Sequence, residues 1–359
     1  MPTAITSTVR RIHRSAALAT YAAVLLVGAV RSADAQATTR IPEIPAFVLL
    51  GVAPSDIARP TTARELAVGL SNVVDSTGQA RQGVGINFQP WFVFGAPVTR
   101  RRYRESAAWY SLANLDVSFG SARSAGSDTT STDVALGAKT VFFDRSDPLA
   151  SAVVAREVGR VARALCPDTA FTDPTTNLSD AAKRLKCLVT KTDSVYDAAA
   201  RRGDLRGAAL SGAIAIGGRL PESRLDGLRY TGMSTWLTGS FPISRVGQFL
   251  LQTRFDRRET ADSTTNVFSS GARATLGGRK ANSFVEMLGQ WSDRGSDRST
   301  AKWSAGVEVH TAQDLWLAVG FGSTFATQLR KDPMRLIANV RWALASGPRL
   351  GADDLRAMP

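Results

Sequence analysis

Histidine is the side chain most suited to acid–base chemistry near neutral pH, and the chain contains two of them. His13 lies near the N-terminus, and His310 stands in EVHTAQD, close to Thr311 and Asp314. A hydrolase needs a nucleophile and a carboxylate arranged around such a base, but His310 is not part of a His-x-Ser arrangement, and the sequence has no HExxH and no Walker A motif. We therefore predict no catalytic residue, no cofactor and no bound metal, and we interpret His310 as a polar residue at a strand end.

Charged residues occur instead inside stretches where every second residue is apolar. In AKWSAGVEVHTAQDLWLAVGFGS, residues 301–323, Val307 and Val309 alternate with Gly306 and Glu308. Strict alternation predicts a strand with two unlike faces. The apolar face meets either a protein core, as in a soluble sandwich, or lipid, in which case the polar face lines a lumen. In the second interpretation the lumen-facing charges are Asp116, Lys139, Arg254, Arg273, Glu286, Glu308 and Arg341.

The length of the alternating stretches favours lipid over a protein core. Most are about ten residues long, whereas strands of globular proteins are typically about five or six and bilayer-crossing strands about nine to eleven. The expected lipid-facing residues include Phe88, Phe92, Leu115, Leu251, Val307, Leu317 and Val340. We predict twelve strands, near 64–73, 83–94, 107–119, 132–143, 207–219, 228–241, 246–257, 266–278, 281–292, 301–310, 314–322 and 335–344.

The N-terminus has the features of a bacterial secretory signal peptide. Arg10, Arg11 and Arg14 precede a short apolar run, 16–30, which ends before Ala33-Asp34-Ala35, an A-x-A cleavage site. Removing residues 1–35, with four arginines and one aspartate, lowers the formal net charge from +13 to about +10. Because the chain is exported, we expect the basic residues to face lipid phosphates and lipopolysaccharide rather than nucleic acid.

Residues 144–206 interrupt the alternation and predict a helical hairpin. Asp147-Pro148 starts the first helix as an N-cap followed by proline, and Ser179 caps the second. Cys166 and Cys187 are the only cysteines and flank the turn between the helices. In an oxidising compartment we expect them to form a disulfide, which would contribute about 3 kcal/mol.

Short and long connections alternate along the predicted strands, as with Arg279-Lys280 against residues 293–300. In this respect the chain resembles the bacterial outer-membrane β-barrel class, with tight periplasmic turns and longer outer loops. The resemblance implies a closed antiparallel transmembrane barrel with both chain ends and the helical hairpin in the periplasm. We expect a signal peptide at 1–35, an N-terminal segment or plug at 36–63, the barrel at 64–344 with the hairpin inserted at 144–206, and a tail at 345–359.

Three functions remain open for such a barrel. The first is a porin-like channel for small solutes or ions in the outer membrane. The second is a structural or assembly barrel whose periplasmic hairpin docks a partner protein. The third, a membrane-embedded hydrolase centred on His310, lacks the expected partner residues.

Overall fold

The computed structural model describes residues 43–53, 55–60, 65–74, 80–91, 100–123, 131–147, 150–151, 156–157, 160, 164, 187, 207–223, 225–244, 247–260, 263–277, 281–294, 298–312, 315–326 and 335–346. Contacts divide the chain into Met1–Ala33 and Asp34–Pro359, and every described residue belongs to the second unit. The expected signal peptide and C-terminal tail lie outside the described residues, apart from 345–346 at the end of the last strand.

Antiparallel strands close on themselves into a single barrel, which confirms the predicted twelve-stranded fold. Each strand pairs with its neighbours in the chain, and the last strand pairs with the first from Glu65↔Ser346 to Val74↔Leu336. Trp342 therefore lies in the strand that closes the barrel. The strands are β1 Glu65–Val74, β2 Ala80–Phe88, β3 Asp116–Arg123, β4 Thr132–Asp144, β5 Ala209–Leu220, β6 Arg229–Ser244, β7 Gly247–Glu259, β8 Thr264–Gly277, β9 Ala281–Ser292, β10 Ser299–Ala312, β11 Leu315–Ala326 and β12 Arg335–Ser346.

Two short helices, α2 Arg100–Glu105 and α3 Ala107–Ala113, lie between β2 and β3, so the predicted strand 107–119 is wrong over its first half. Ser106 caps α3 by accepting a hydrogen bond from the Trp109 N–H at 3.4 Å. The rings of Tyr103 on α2 and Tyr110 on α3 pack at 4.8 Å and are buried, so the two helices contact each other through these side chains. The apolar residues at 109 and 113 fit period two and helical spacing equally well, which explains the error.

The predicted helical hairpin falls mostly on residues outside those described, so it stays a prediction. The same holds for the disulfide, because Cys166 lies outside the described residues. In the described part of the chain, no helix is both long and apolar enough to cross a membrane.

A third helix, α1 Pro45–Leu50, precedes the barrel strands in the sequence. Proline occupies its first turn, where the missing N–H costs nothing, and Gly51 ends it in the left-handed conformation with φ +67°. The apolar cluster at 47–50 is therefore a short helix rather than a short strand. We call residues 43–53 and 55–60 the lumen segment, since their contacts place them inside the barrel.

The barrel has two ends that differ in their connections. We call the end where β1 begins and β12 ends the terminal end, and the opposite end the loop end. At the terminal end only two residues separate β6 from β7 and β10 from β11, and three separate β8 from β9. The tight turns that the sequence predicts after the sixth, eighth and tenth strands are therefore present.

Candidate functional site

The strand register places all seven charges that we predicted to face the lumen on the inner face of the barrel. Asp116 pairs across strands with Lys139, and Arg273 pairs with Glu286, so opposite charges share a face. Every one of the seven residues is at most 9 % exposed: Asp116, Lys139, Arg254, Arg273, Glu286, Glu308 and Arg341.

Large apolar side chains are exposed on the outer face of the barrel. Of the residues expected to face lipid, Leu251 and Leu317 are exposed, while Phe88, Val307 and Val340 are half-buried. Leu115 lies in the connection between α3 and β3 rather than in a strand, and Phe92 lies outside the described residues. Further exposed apolar residues extend this face to other strands, among them Leu70, Phe119, Leu136, Val285, Met287 and Leu336.

Helix α1 packs against one wall of the lumen, formed by β1 to β4, where several inward positions are glycines. A Cβ atom at Gly69 would lie 2.4 Å from Ile44 Cδ1, and one at Gly85 would lie 2.6 Å from Phe47 Cε1. Both distances are too short for real atoms, so the absence of side chains here makes room for the helix. The Ala46 N–H adds a hydrogen bond of 3.0 Å to Ser118 Oγ on β3.

The second half of the lumen segment contacts the wall formed by β7 to β10, largely through polar groups. Ser55 Oγ and the Asp56 N–H both donate to the Glu286 carboxylate, at 2.6 and 3.0 Å. The Ala58 N–H donates to Gln252 Oε1 at 2.7 Å, and Gln252 Nε2 donates to the Asp56 carbonyl oxygen at 2.9 Å. The Ile57 side chain packs in a small apolar cluster with Leu250 on β7 and Leu288 on β9.

Arg59 joins opposite walls of the barrel. Its guanidinium donates to Glu308 on β10, and its carbonyl oxygen accepts a hydrogen bond of 3.2 Å from Lys139 Nζ on β4. In the closed order of strands, β4 and β10 are six positions apart in either direction, so they face each other across the lumen. Glu308 also pairs with Arg273 at 3.2 Å, and Arg59 is 1 % exposed. A single residue therefore spans the lumen at this level.

Glu43 completes the charge balance around Arg59. Its carboxylate accepts a 2.6 Å hydrogen bond from the Arg59 N–H and lies 3.9 Å from Lys139 Nζ. Buried charges are tolerated when each has a counter-charge and hydrogen bonds. Here the three carboxylates of Glu43, Glu286 and Glu308 face the three cations of Arg59, Lys139 and Arg273.

His310 lies on the same inner face as Glu308, two residues along β10. Its ring stacks on that of Trp316 with centroids 4.5 Å apart. This contact is the one expected of a residue at a strand end beside a tight turn. Among the described residues, no group of three or more histidine, cysteine, aspartate or glutamate side chains is placed to hold a metal ion.

Sequence reasoning offered 36–63 as a possible plug but did not single out the residues that contact the walls, notably Arg59, Ser55 and Asp56. Nothing in 55–60 marks these residues, because an irregular polar stretch is typical of an exposed connection. The glycines carried a usable signal. In β2 the sequence GVGINF places Gly83 and Gly85 on the face opposite Val84 and Ile86, so the inner face lacks side chains over two successive positions.

No family model matches the chain, and no curated protein matches it. Similar solved structures are outer-membrane β-barrels, the class that the sequence resembles. The KdgM porin has a TM-score of 0.40 and 6 % identity over 78 % of this chain and 99 % of its own. The NanC porin has a TM-score of 0.39 and 9 % identity over 78 % and 100 %. An outer membrane channel from Pseudomonas putida F1 has a TM-score of 0.41 and 8 % identity over 78 % and 96 %. We take no argument about function from likenesses at this level.

Proposed function

We propose that the protein is a porin-like channel of the bacterial outer membrane, and that the structure represents its closed state. The outward apolar residues and the inward charges suit a barrel with lipid outside and a polar lumen inside. The signal peptide expected at 1–35 suits the same location. The observation that carries the closed state is Arg59, which contacts β4 and β10 at once and is 1 % exposed.

Small solutes or ions would pass when the lumen segment moves. Its contacts with β7 to β10 are hydrogen bonds and ion pairs, which water can replace as the segment leaves the wall. The contacts of α1 with β1 to β4 are mainly close apolar packing, which water cannot replace. We therefore propose that residues 55–60 move and that α1 stays in place, with Gly51 at the junction.

A reversible crosslink between the lumen segment and the wall tests this function. A Cβ atom at Gly83 would lie 3.5 Å from Val52 Cβ, within the range of disulfides. We would introduce Val52→Cys and Gly83→Cys with Cys166→Ser and Cys187→Ser, and use each new cysteine alone as a control. A second variant lacking residues 43–60 removes the lumen segment, including Arg59.

Conductance in planar bilayers is the measurement. We expect the deletion variant to conduct continuously, the unsubstituted protein to open intermittently, and the oxidised crosslink to reduce openings until a reductant is added. The single-cysteine controls should behave like the unsubstituted protein. If the deletion variant folds, as judged by heat-modifiable gel mobility, but does not conduct, the channel proposal fails.

The second candidate is a structural barrel. The observation that favours it is the fit between α1 and the glycine-lined wall, which suits a permanent occupant. A partner protein on the periplasmic side would then dock on the expected helical hairpin. A folded deletion variant that does not conduct would support this second function. We do not propose hydrolysis, because the contact observed for His310 is stacking on Trp316.

A further inference from the structure

The inner face at the loop end of the barrel carries more positive than negative charge. Arg258 follows the buried Asp256 by two residues in β7, and Arg335 precedes the buried Asn339 by four residues in β12, so both share the inner face. Arg219 pairs across strands with Asp133, and Lys302 pairs with Leu288. Both therefore lie on the same inner face. We call this section the mouth and define it by Arg81, Asp133, Arg219, Arg258, Lys302 and Arg335.

One carboxylate serves two of these cations. Asp133 pairs with Arg81 at 2.9 Å through one oxygen and with Arg219 at 2.8 Å through the other. Arg81 also lies near enough to both Arg219 and Arg335 to interact with their charges. In the described part of the chain, no salt bridge engages Arg258, Lys302 or Arg335.

The other described carboxylates near this end are exposed or already paired. Glu222 and Asp226 are exposed and lie in the two short 3-10 turns between β5 and β6. Asp256 lies deeper in the lumen and is paired with Arg254, whose Nε donates a hydrogen bond of 2.7 Å to it. The mouth therefore differs from the section around Arg59, where buried cations and carboxylates are matched.

We propose that the mouth is a binding site for small anionic solutes that bear carboxylate or phosphate groups. A concave surface lined by one sign of charge concentrates the opposite ion, and guanidinium groups form paired hydrogen bonds with carboxylate and phosphate oxygens. Rings of arginine or lysine serve the same purpose in anion pores. The four arginines are partly or fully exposed to water, so a solute reaches them without displacing the lumen segment. The inference rests on the proposed function for the assignment of the solute as cargo.

Calorimetric titration of the full-length barrel in an uncharged detergent at low ionic strength tests this site. The probes are citrate, which carries only carboxylates, and inorganic phosphate, with sucrose as an uncharged control. The variant Arg258→Gln with Arg335→Gln removes two inward charges. The matched control Arg123→Gln with Arg257→Gln removes two exposed charges from outward positions at the same end of the barrel.

We expect citrate or phosphate to bind the unsubstituted protein, and the inward variant to lose about tenfold in affinity, equivalent to about 1.4 kcal/mol. The outward variant should stay within about twofold, because these side chains point away from the lumen and do not contact the solute. Equal losses in both variants would show an effect of net charge and overturn the proposal. A larger loss in the outward variant would assign the cations to lipid headgroups and also overturn it, as would the absence of binding.

The titration does not depend on conduction. Binding at the mouth with no conductance in the deletion variant would retain the site and reject the channel. Conductance without binding would retain the channel and reject the site.

Discussion

The two walls of the lumen hold the same segment by different physical means. The wall of β1 to β4 is shaped to fit α1, with glycines at inward positions and close contacts to Ile44 and Phe47. The wall of β7 to β10 matches residues 55–59 in charge and hydrogen bonding, through Gln252, Glu286 and Glu308. One side of a filled lumen can therefore hold its occupant rigidly, while the contacts on the other side can be replaced by water. Water substitutes for polar contacts but not for close packing.

The largest effect should follow from Glu308→Gln on the polar wall. The substitution leaves the buried guanidinium groups of Arg59 and Arg273 without their shared carboxylate, and breaking a buried ion pair costs about 3–5 kcal/mol. Urea unfolding of the folded barrel in detergent, followed by gel mobility, measures the change. From the sequence alone, Glu308→Gln is expected to be mild, because a lumen residue is assumed to face water.

The control for this prediction is Glu259→Gln, which removes a carboxylate that is paired with Arg257 on the outer face. Exposed pairs contribute about 0–1 kcal/mol, so this variant should unfold nearly like the unsubstituted protein. Equal costs at positions 259 and 308 would show that the lumen is hydrated around Arg59, contrary to the structure.

A smaller loss of stability is expected from Val307→Arg. This substitution tests the outer face of the strand whose inner face carries Glu308. Val307 is the neighbour of Glu308 on β10 and points outward, so arginine there would cost about 2–4 kcal/mol near the bilayer midplane. A soluble protein core would also reject arginine, so a second variant is needed. A fluorophore on Val307→Cys should be quenched by a quencher dissolved in the acyl chains, and its insensitivity to that quencher would contradict the outward assignment.

The smallest effect should come from Gly85→Ala on the apolar wall. The added Cβ meets Phe47 Cε1 at 2.6 Å, and overpacking of this kind costs about 1–3 kcal/mol. Combining Gly85→Ala with Phe47→Ala should cost less than the sum of the single changes by about 0.5–3 kcal/mol, because the clash is relieved. Unfolding in urea measures the whole cycle.

Gly239→Ala is the matched control, since its Cβ would meet nothing closer than 3.6 Å. It should be nearly neutral and additive with Phe47→Ala. If Gly85→Ala behaves in the same way, then α1 does not pack against β2 as the structure shows.

Alternation along the sequence determined which residues form strands and which face each of them occupies. Side chains alternate between the two faces of a strand, and residues that pair across neighbouring strands lie on the same face of the sheet. For this reason the inward positions of Asp116, Arg273 and Glu308 follow from local pattern alone. The pattern failed at 107–113, where short apolar spacing suits a helix as well as a strand and where the cap at Ser106 decides in favour of the helix.

Only the tertiary structure decided what fills the lumen. The contacts of Arg59 with Lys139 and Glu308 join residues that are 80 and 249 positions apart, and no local pattern couples such positions. The glycines at 69 and 85 have a reason only once Ile44 and Phe47 lie against them. The excess of cations in the mouth likewise depends on closure, because strands distant in sequence bring their arginines to one rim only when β12 pairs with β1. Local sequence fixes the period of a strand, whereas the occupant and the charge of a lumen are properties of the closed barrel.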